Sequence, residues 1–388
     1  MNHAGPIARD ENDLSDETFR DDVRAWLAQA YPPELRHPPR RLHFDQNRIW
    51  YQILAKKGWL APGWPREFGG AGLSVSKQLI LAEEFDAYGC ARLNDMGIIM
   101  LGPLLIRFGS EAQKQFFLPR IMSGEHIWCQ GYSEPGAGSD LASLKTEARD
   151  AGDHWVLNGQ KTWATLAADA NWMFLLARTS RAERRQEGIS FLLLEMASPG
   201  VTVRPILTVD MHDEFCEVFL DEVKVPKENI LGEAGAGWTI AKALLGFERI
   251  FVGSPKQSQT ALSKLLAAAA KSGVIDDSVF QDRYTRLALD LADLRCLYER
   301  YAGIVRRGEP LGPEVSVLKV FQTELYQRIT EYLLEIAGPE AACFERPGEG
   351  VEATPASIFL QARPATIYGG SNEVQRNILA KNVLGLPT

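Results

Sequence analysis

Apolar residues change their spacing twice along this chain, and a domain of one structural class cannot accommodate both changes. In the first third they recur at the helical interval: Phe19, Val23, Trp26, Leu27 and Ala30 form one stripe. Ser15 stands where an N-cap belongs, and Asp16 and Glu17 fill the first turn, where carboxylates meet the positive end of the helix dipole. A Pro/Gly-rich stretch over 61–72 breaks the pattern, and helical spacing then resumes to about Met122. Between residues 127 and 233 the chain shifts to short runs of strand character, over 155–157, 172–177, 189–194 and 218–225, separated by turn residues. Asn158-Gly159 predicts a hairpin turn, because both residues tolerate positive φ. Long helices return after Gly237. Leu287, Leu291, Leu294, Tyr298, Tyr301 and Val305 mark one; Leu318, Phe321, Leu325, Ile329, Leu333 and Ile336 mark another, which Gly338-Pro339 stops.

The expected architecture is therefore α+β and multidomain: an N-terminal helical domain (1–126), a central β domain (127–233) and a C-terminal helical bundle (234–388). A length of 388 residues is enough to bury more than one core. The formal charge of −8 argues against a nucleic-acid partner, so a phosphorylated ligand would have to be held by local donors. Five scattered cysteines without a Cys-x-x-Cys pair support neither a disulfide framework nor a zinc knuckle, and we expect no metal site. The polar, acidic N-terminus and the lack of a long apolar run predict no membrane span and a reducing, cytoplasmic compartment. Neither Gly-x-Ser-x-Gly nor His-Glu-x-x-His occurs, which removes the common hydrolase and zinc-protease readings.

Two segments carry chemistry. Tyr132-Ser133-Glu134-Pro135-Gly136-Ala137-Gly138-Ser139-Asp140 packs glycines and small hydroxyls at the entry to the β domain, where backbone amides can approach a flat or anionic ligand. An ordinary surface loop would look similar, and the third glycine of a Rossmann fingerprint is missing. In Asn158-Gly159-Gln160-Lys161-Thr162-Trp163-Ala164-Thr165, Trp163 and Thr165 lie two apart and share one strand face. An indole beside a hydroxyl suits a planar aromatic ligand with polar edges, although a tryptophan in a sheet is commonly a core residue.

Together the two segments resemble the acyl-CoA dehydrogenase family. The likeness continues in Val223-Lys224-Val225-Pro226-Lys227-Glu228-Asn229-Ile230-Leu231-Gly232 and in Tyr368-Gly369-Gly370-Ser371-Asn372-Glu373-Val374-Gln375-Arg376-Asn377. The resemblance implies an FAD-dependent oxidoreductase of lipid β-oxidation with an acyl-CoA substrate and an electron-transfer flavoprotein as acceptor. It implies that Trp163 packs beside the flavin, Thr165 bonds near its hydride-accepting nitrogen, and Tyr132 and Ser133 meet its pyrimidine edge, with Gln130 and Ala164 in the same cofactor set. Ser371 and Glu373 fall where the family contacts FAD; helix-terminal amides there favour phosphates, although the charge of Glu373 does not. Ser139 would lie along the thioester channel.

Many family members place the catalytic Glu directly after the Tyr of the C-terminal motif, where this chain has Gly369. Enzymes similar to isovaleryl- and long-chain acyl-CoA dehydrogenases place it on a helix after the β domain, and Gly246-Phe247-Glu248-Arg249 supplies it here. The resemblance thus assigns Glu248 as the α-proton acceptor, Phe247 and Arg249 to the substrate side, and the Gly370 amide to the thioester carbonyl. An acyl-CoA oxidase, or a structural subunit of a heteromeric dehydrogenase, is the alternative. Homotetrameric members grip the FAD pyrophosphate with an Arg-x-x-Phe-Gly pattern from a neighbouring subunit, and residues 271–283 lack it while carrying three acids. A second trans-acting segment reads Glu335-Ile336-Ala337-Gly338-Pro339-Glu340, with added carboxylates and a proline in place of a glycine. The expected assembly is a homotetramer or an α2β2 heterotetramer with a related chain, with Arg283 or Arg286 as local substitutes for the missing arginine.

Overall fold

The computed structural model describes residues 10–94, 96–243, 253–342 and 353–387, in two compact units divided after Trp128.

The first unit is helical: α1 (Asp16–Ala30), α2 (Phe44–Lys57), α3 (Val75–Tyr88), α4 (Gly102–Phe108) and α5 (Glu111–Ser123). Helix α1 begins where its cap predicts, with Ser15 Oγ accepting from the Thr18 amide at 3.1 Å. Its stripe of Phe19, Val23 and Leu27 is buried, each worth about 1.5–3 kcal/mol of burial, and it packs against α3. Polar groups fix the docking: Arg24 Nε donates to Glu84 Oε2 at 2.7 Å, and the buried Lys77 ammonium donates to the Leu14 carbonyl at 2.7 Å and to Asp16 at 2.8 Å.

The second unit opens on a mixed sheet of β1 (Trp128–Gly131), β2 (Glu147–Asp150), β3 (His154–Thr165), β4 (Trp172–Arg178), β5 (Ile189–Glu195), β6 (Val201–Ile206), β7 (Phe215–Pro226) and β8 (Ile230–Leu231). The order is β6-β7-β3-β2-β4-β5-β8, with β1 on β4; β2 and β4 run parallel, and β3 pairs antiparallel with β7. Strand β4 reads as an unbroken apolar run because both of its faces are covered. Met173, Leu175 and Ala177 join Leu157, Ala164, Leu192, Cys216 and Val218 in one core. On the opposite face the Phe174 and Phe191 rings stack 5.7 Å apart, and Tyr132 meets both edge-on.

The hairpin expected at Asn158-Gly159 does not form. Strand β3 runs straight through both residues, and the register against β7 shifts between Leu157 and Gly159 because β7 carries an extra residue there, at Asp221-Glu222, with Glu222 at φ +48°. The Asn158 carboxamide accepts from the Glu222 amide at 2.9 Å across the ladder, while a Cβ on Gly159 would stand 2.5 Å from Thr146 Oγ1. Close approach of Thr146, just ahead of β2, rather than chain reversal, requires the glycine.

Residues 237–243 are helical, and α6 (Lys256–Ser272), α7 (Ser278–Arg306), α8 (Ser316–Ala337), α9 (Pro355–Ala362) and α10 (Asn372–Asn382) follow. The stripes expected on α7 and α8 are the buried ones, with Val305, Phe321 and Ile336 half-buried. Helix α8 is the hub, packed by α6, α7, α9 and α10, and ends at Gly338 with φ +57°. Among the described residues no helix is long and apolar enough to cross a membrane, and no group of His, Cys, Asp and Glu could hold a metal ion.

Candidate active site

The expected site residues of the second unit fall into two clusters. The first is built where β3 itself bulges. Lys161 pairs with Val218 and Ala164 with Cys216, so Thr162 and Trp163 together face a single residue of β7. Trp163 takes left-handed backbone, φ +58°, a conformation that costs a side-chain-bearing residue on the order of 1–2 kcal/mol. Its indole is 58% exposed, touching Phe215 edge-on at 6.0 Å, while Ala164 is buried and Thr165 half-buried. Trp163 is therefore not the core residue that a sheet tryptophan commonly is. Its ring is held out of the sheet by the left-handed backbone of the bulge.

The glycine-rich segment is fastened beside this bulge. The Thr162 amide donates to the Ser133 carbonyl at 2.9 Å, and Glu134 and Ala137 exchange backbone hydrogen bonds across the Pro135-Gly136 tip. Glu134 and Lys161 form a buried ion pair at 2.7 Å, with side chains 6% and 0% exposed. Glu134 also accepts from the amides of Lys145, at 2.6 Å, and Thr146, at 2.9 Å. Burial alone would raise the Glu134 carboxyl, but the Lys161 charge and these hydrogen bonds hold it below the usual carboxylate range; burial in turn lowers the Lys161 ammonium. Removing one partner would strand the other, a loss of about 3–5 kcal/mol. A Cβ on Gly136 or Gly138 would meet open space, so internal packing does not account for those glycines. Gln130 lies half-buried on β1, and Ser139 is exposed at the far end of the loop.

The second cluster surrounds the start of α10. Gly369 and Gly370 have φ +64° and +79°, and the Gln375 carboxamide donates back to both carbonyls, at 3.2 and 3.4 Å. Ser371 caps the helix, accepting from the Val374 amide at 3.3 Å. Beneath it the buried Lys319 ammonium donates to Asn372 Oδ1 at 2.9 Å, and Thr323 Oγ1 meets the same oxygen at 3.2 Å. Burial pushes Lys319 down to about 8, against the opposing pull of Glu373 and Glu324. Exposed Glu373 is held below the usual range by its own amide and the Ser371 hydroxyl, then by the charges of Arg376 and Lys319. Lys319 thus offsets the charge that Glu373 brings to this helix terminus. Phe247, Glu248 and Arg249 lie outside the described residues.

Sequence reasoning missed Lys161, Glu134, Lys319 and Asn372. Period-2 spacing puts Lys161 on the same strand face as Trp163, so only the bulge between Lys161 and Ala164, which the sequence does not announce, separates the buried cation from the exposed indole.

The three-part architecture and this arrangement of motifs define one enzyme class, and comparison with known proteins agrees. Residues 14–125, 129–223 and 235–384 match the acyl-CoA dehydrogenase N-terminal, middle and C-terminal domains. Acyl-CoA dehydrogenase IpdE1 of Mycobacterium tuberculosis is 40% identical over 384 residues, covering 96% of this chain and 98% of that protein. The human mitochondrial short-chain specific acyl-CoA dehydrogenase is 34% identical, with 89% and 86% covered. Among solved structures, the Tcur3481-Tcur3483 steroid ACAD superposes with a TM-score of 0.86 at 29% identity, covering 96% and 97% of the two chains. The ChsE4-ChsE5 complex from Mycobacterium tuberculosis gives 0.82 at 32% identity, covering 96% and 98%. The chain belongs to the acyl-CoA dehydrogenase family. It is an oxidoreductase of that class.

Proposed function

We propose that this chain performs the FAD-dependent α,β-dehydrogenation of an acyl-CoA thioester to the trans-2-enoyl-CoA, with Glu248 as the α-proton acceptor. The observation that carries the reading is the exposed, left-handed Trp163, set beside Thr165 and the anchored Tyr132-Ser133 edge. A flat ring system with polar edges fits that surface, and the open glycines at 136 and 138 leave room for it. FAD, when bound, supplies the acceptor for the hydride leaving the β carbon. The residues of the chain do the rest. Trp163 and Thr165 orient the ring, Ser371 and the α10 amides favour a phosphate with Lys319 behind them, and Ser139 belongs to the thioester channel. The Gly370 amide donates to the thioester carbonyl, acidifying the α-proton that Glu248 removes. Phe247 and Arg249 line the acyl side.

We further place the chain in an α2β2 assembly with a related chain, and electron-transfer flavoprotein as its oxidant. The supporting observation is that Arg283 holds Glu335 in a bidentate pair, at 2.7 and 2.9 Å, and Arg286 holds Asp282, at 3.0 and 3.3 Å. The likeness to the ChsE4-ChsE5 complex supports the same reading.

The decisive experiment is anaerobic mixing of the purified protein with a panel of straight, branched, dicarboxylic and polycyclic acyl-CoA thioesters. At least one is expected to bleach the flavin band and yield the enoyl thioester. No bleaching by any member, with flavin bound, would defeat the assignment.

Trp163→Ala is expected to weaken FAD retention about tenfold, the equivalent of about 1.4 kcal/mol, and to change flavin emission. Melting of the apoprotein should shift little, because an exposed side chain contributes at most about 0.5 kcal/mol. A large fall in melting temperature with an unaltered flavin environment would return Trp163 to a packing role.

A further inference from the structure

The Lys161–Glu134 pair does more than its ionic character requires. Burying two charges is expensive, and an apolar pair of similar volume would hold the fold as well or better. What an apolar side chain cannot do is point three donors at three acceptors. Lys161 Nζ donates to the Glu134 carboxylate at 2.7 Å, to the Leu176 carbonyl of β4 at 2.7 Å and to the Tyr132 carbonyl at 3.4 Å. Glu134 carries the connection onward to the amides of Lys145 and Thr146 at the foot of β2. One ammonium therefore ties β3, β4 and the 132–134 loop together.

The position of this tie along β3 matters because the next residues are the bulge. A strand with one extra residue can place it at neighbouring positions, and each step of one residue moves a side chain to the other face. Here the extra residue is confined. Upstream, Lys161 is fixed by its three acceptors; downstream, Ala164 is fully buried opposite Cys216, and the Leu166 amide donates to the Glu214 carbonyl at 2.6 Å. The link from the Thr162 amide to Ser133 then fixes the loop to the bulge itself.

We propose that Lys161 and Glu134 are positioning residues that lock the β3 bulge and the Tyr132-Ser133 edge in one register, presetting the surface that receives the flavin. The inference rests on the FAD reading above and adds a cause for its geometry.

The test uses the purified chain, alone or co-expressed with its partner, and titrates it with FAD. Lys161→Met combined with Glu134→Gln removes both charges while keeping side-chain volume. Glu134→Asp keeps both charges but shortens the reach to three donors. Melting temperature, FAD dissociation constant and the visible circular dichroism of bound flavin are read for each. The double variant is expected to melt within a few degrees of the parent yet bind FAD at least tenfold more weakly, with altered flavin dichroism. Equal affinity and unchanged dichroism would reduce the pair to an ordinary structural contact. Should the double variant not fold, Glu134→Asp decides alone: a weaker, altered flavin signal supports the proposal, and parental values overturn it. A parent chain that takes up no FAD, alone or with a partner, refutes the flavin reading and the inference with it, whereas a flavin-binding parent with unaffected variants refutes only the inference.

Discussion

Glu248→Gln is expected to lower turnover by about 10²–10⁴-fold while leaving the spectrum of bound flavin nearly unchanged, since general-base catalysis contributes on that order. The amide keeps the size and shape of the carboxyl but cannot take a proton. The effect is expected to be large because the α-proton of a thioester is weakly acidic and a solvated glutamate is a weak base. A glutamate closed off from water by bound substrate and flavin is a stronger base than a solvated one. Stopped-flow bleaching of the flavin by a good acyl-CoA measures the step directly. A Glu248→Gln protein that bleaches within about tenfold of the parent, a loss too small for a general base, removes Glu248 from the mechanism.

The chain expressed alone should hold markedly less than one FAD per subunit, and co-expression with the related chain should restore full occupancy. The reason is electrostatic. The surface where homotetrameric relatives are expected to present a free arginine is instead internally neutralised: Arg283 sits over the Tyr332 ring at 3.7 Å and is forked onto Glu335. A pyrophosphate would have to displace a carboxylate from that fork, and Arg286 would have to leave Asp282 in the same way. Both arginines expected as local substitutes are thus engaged. The ratio of flavin to protein absorbance, read beside the mass of the assembly in solution, checks the prediction. A stable homotetramer with a full complement of tightly bound FAD would sink the heteromer.

The succession of helices, sheet and helices was legible because each element carries its own period. Ser15 capping α1, the buried Leu287 to Tyr301 stripe of α7 and the double-faced β4 all follow from spacing and local chemistry. Asn158-Gly159 was misread because the same two residues serve a turn or a straight strand opposite a bulge of its neighbour, and only the identity of the neighbouring strand decides between them. Thr146, just ahead of β2, lies against Gly159, and β7 receives the Asn158 carboxamide. At the site, Trp163 and Thr165 were visible as a pair, but the buried ammonium beneath them was not. Lys161 finds its carboxylate 27 residues earlier in the chain, and a contact at that separation leaves no periodic trace. Lys319 and Asn372, 53 residues apart, escaped for the same reason.

The paired glycines ahead of α10 also bear on how such a site changes over generations. With both residues in left-handed backbone, and a Cβ at Gly370 standing 2.9 Å from the Gln375 amide nitrogen, this turn has been committed to the smallest side chain. A side chain placed at position 369 would meet a backbone penalty on the order of 1–2 kcal/mol before it could be useful. The glycine pair then behaves as a ratchet against larger side chains in this turn. Descendants of this chain are freer to change residues around the turn than the two glycines within it, and new substrate ranges should arise from those neighbours.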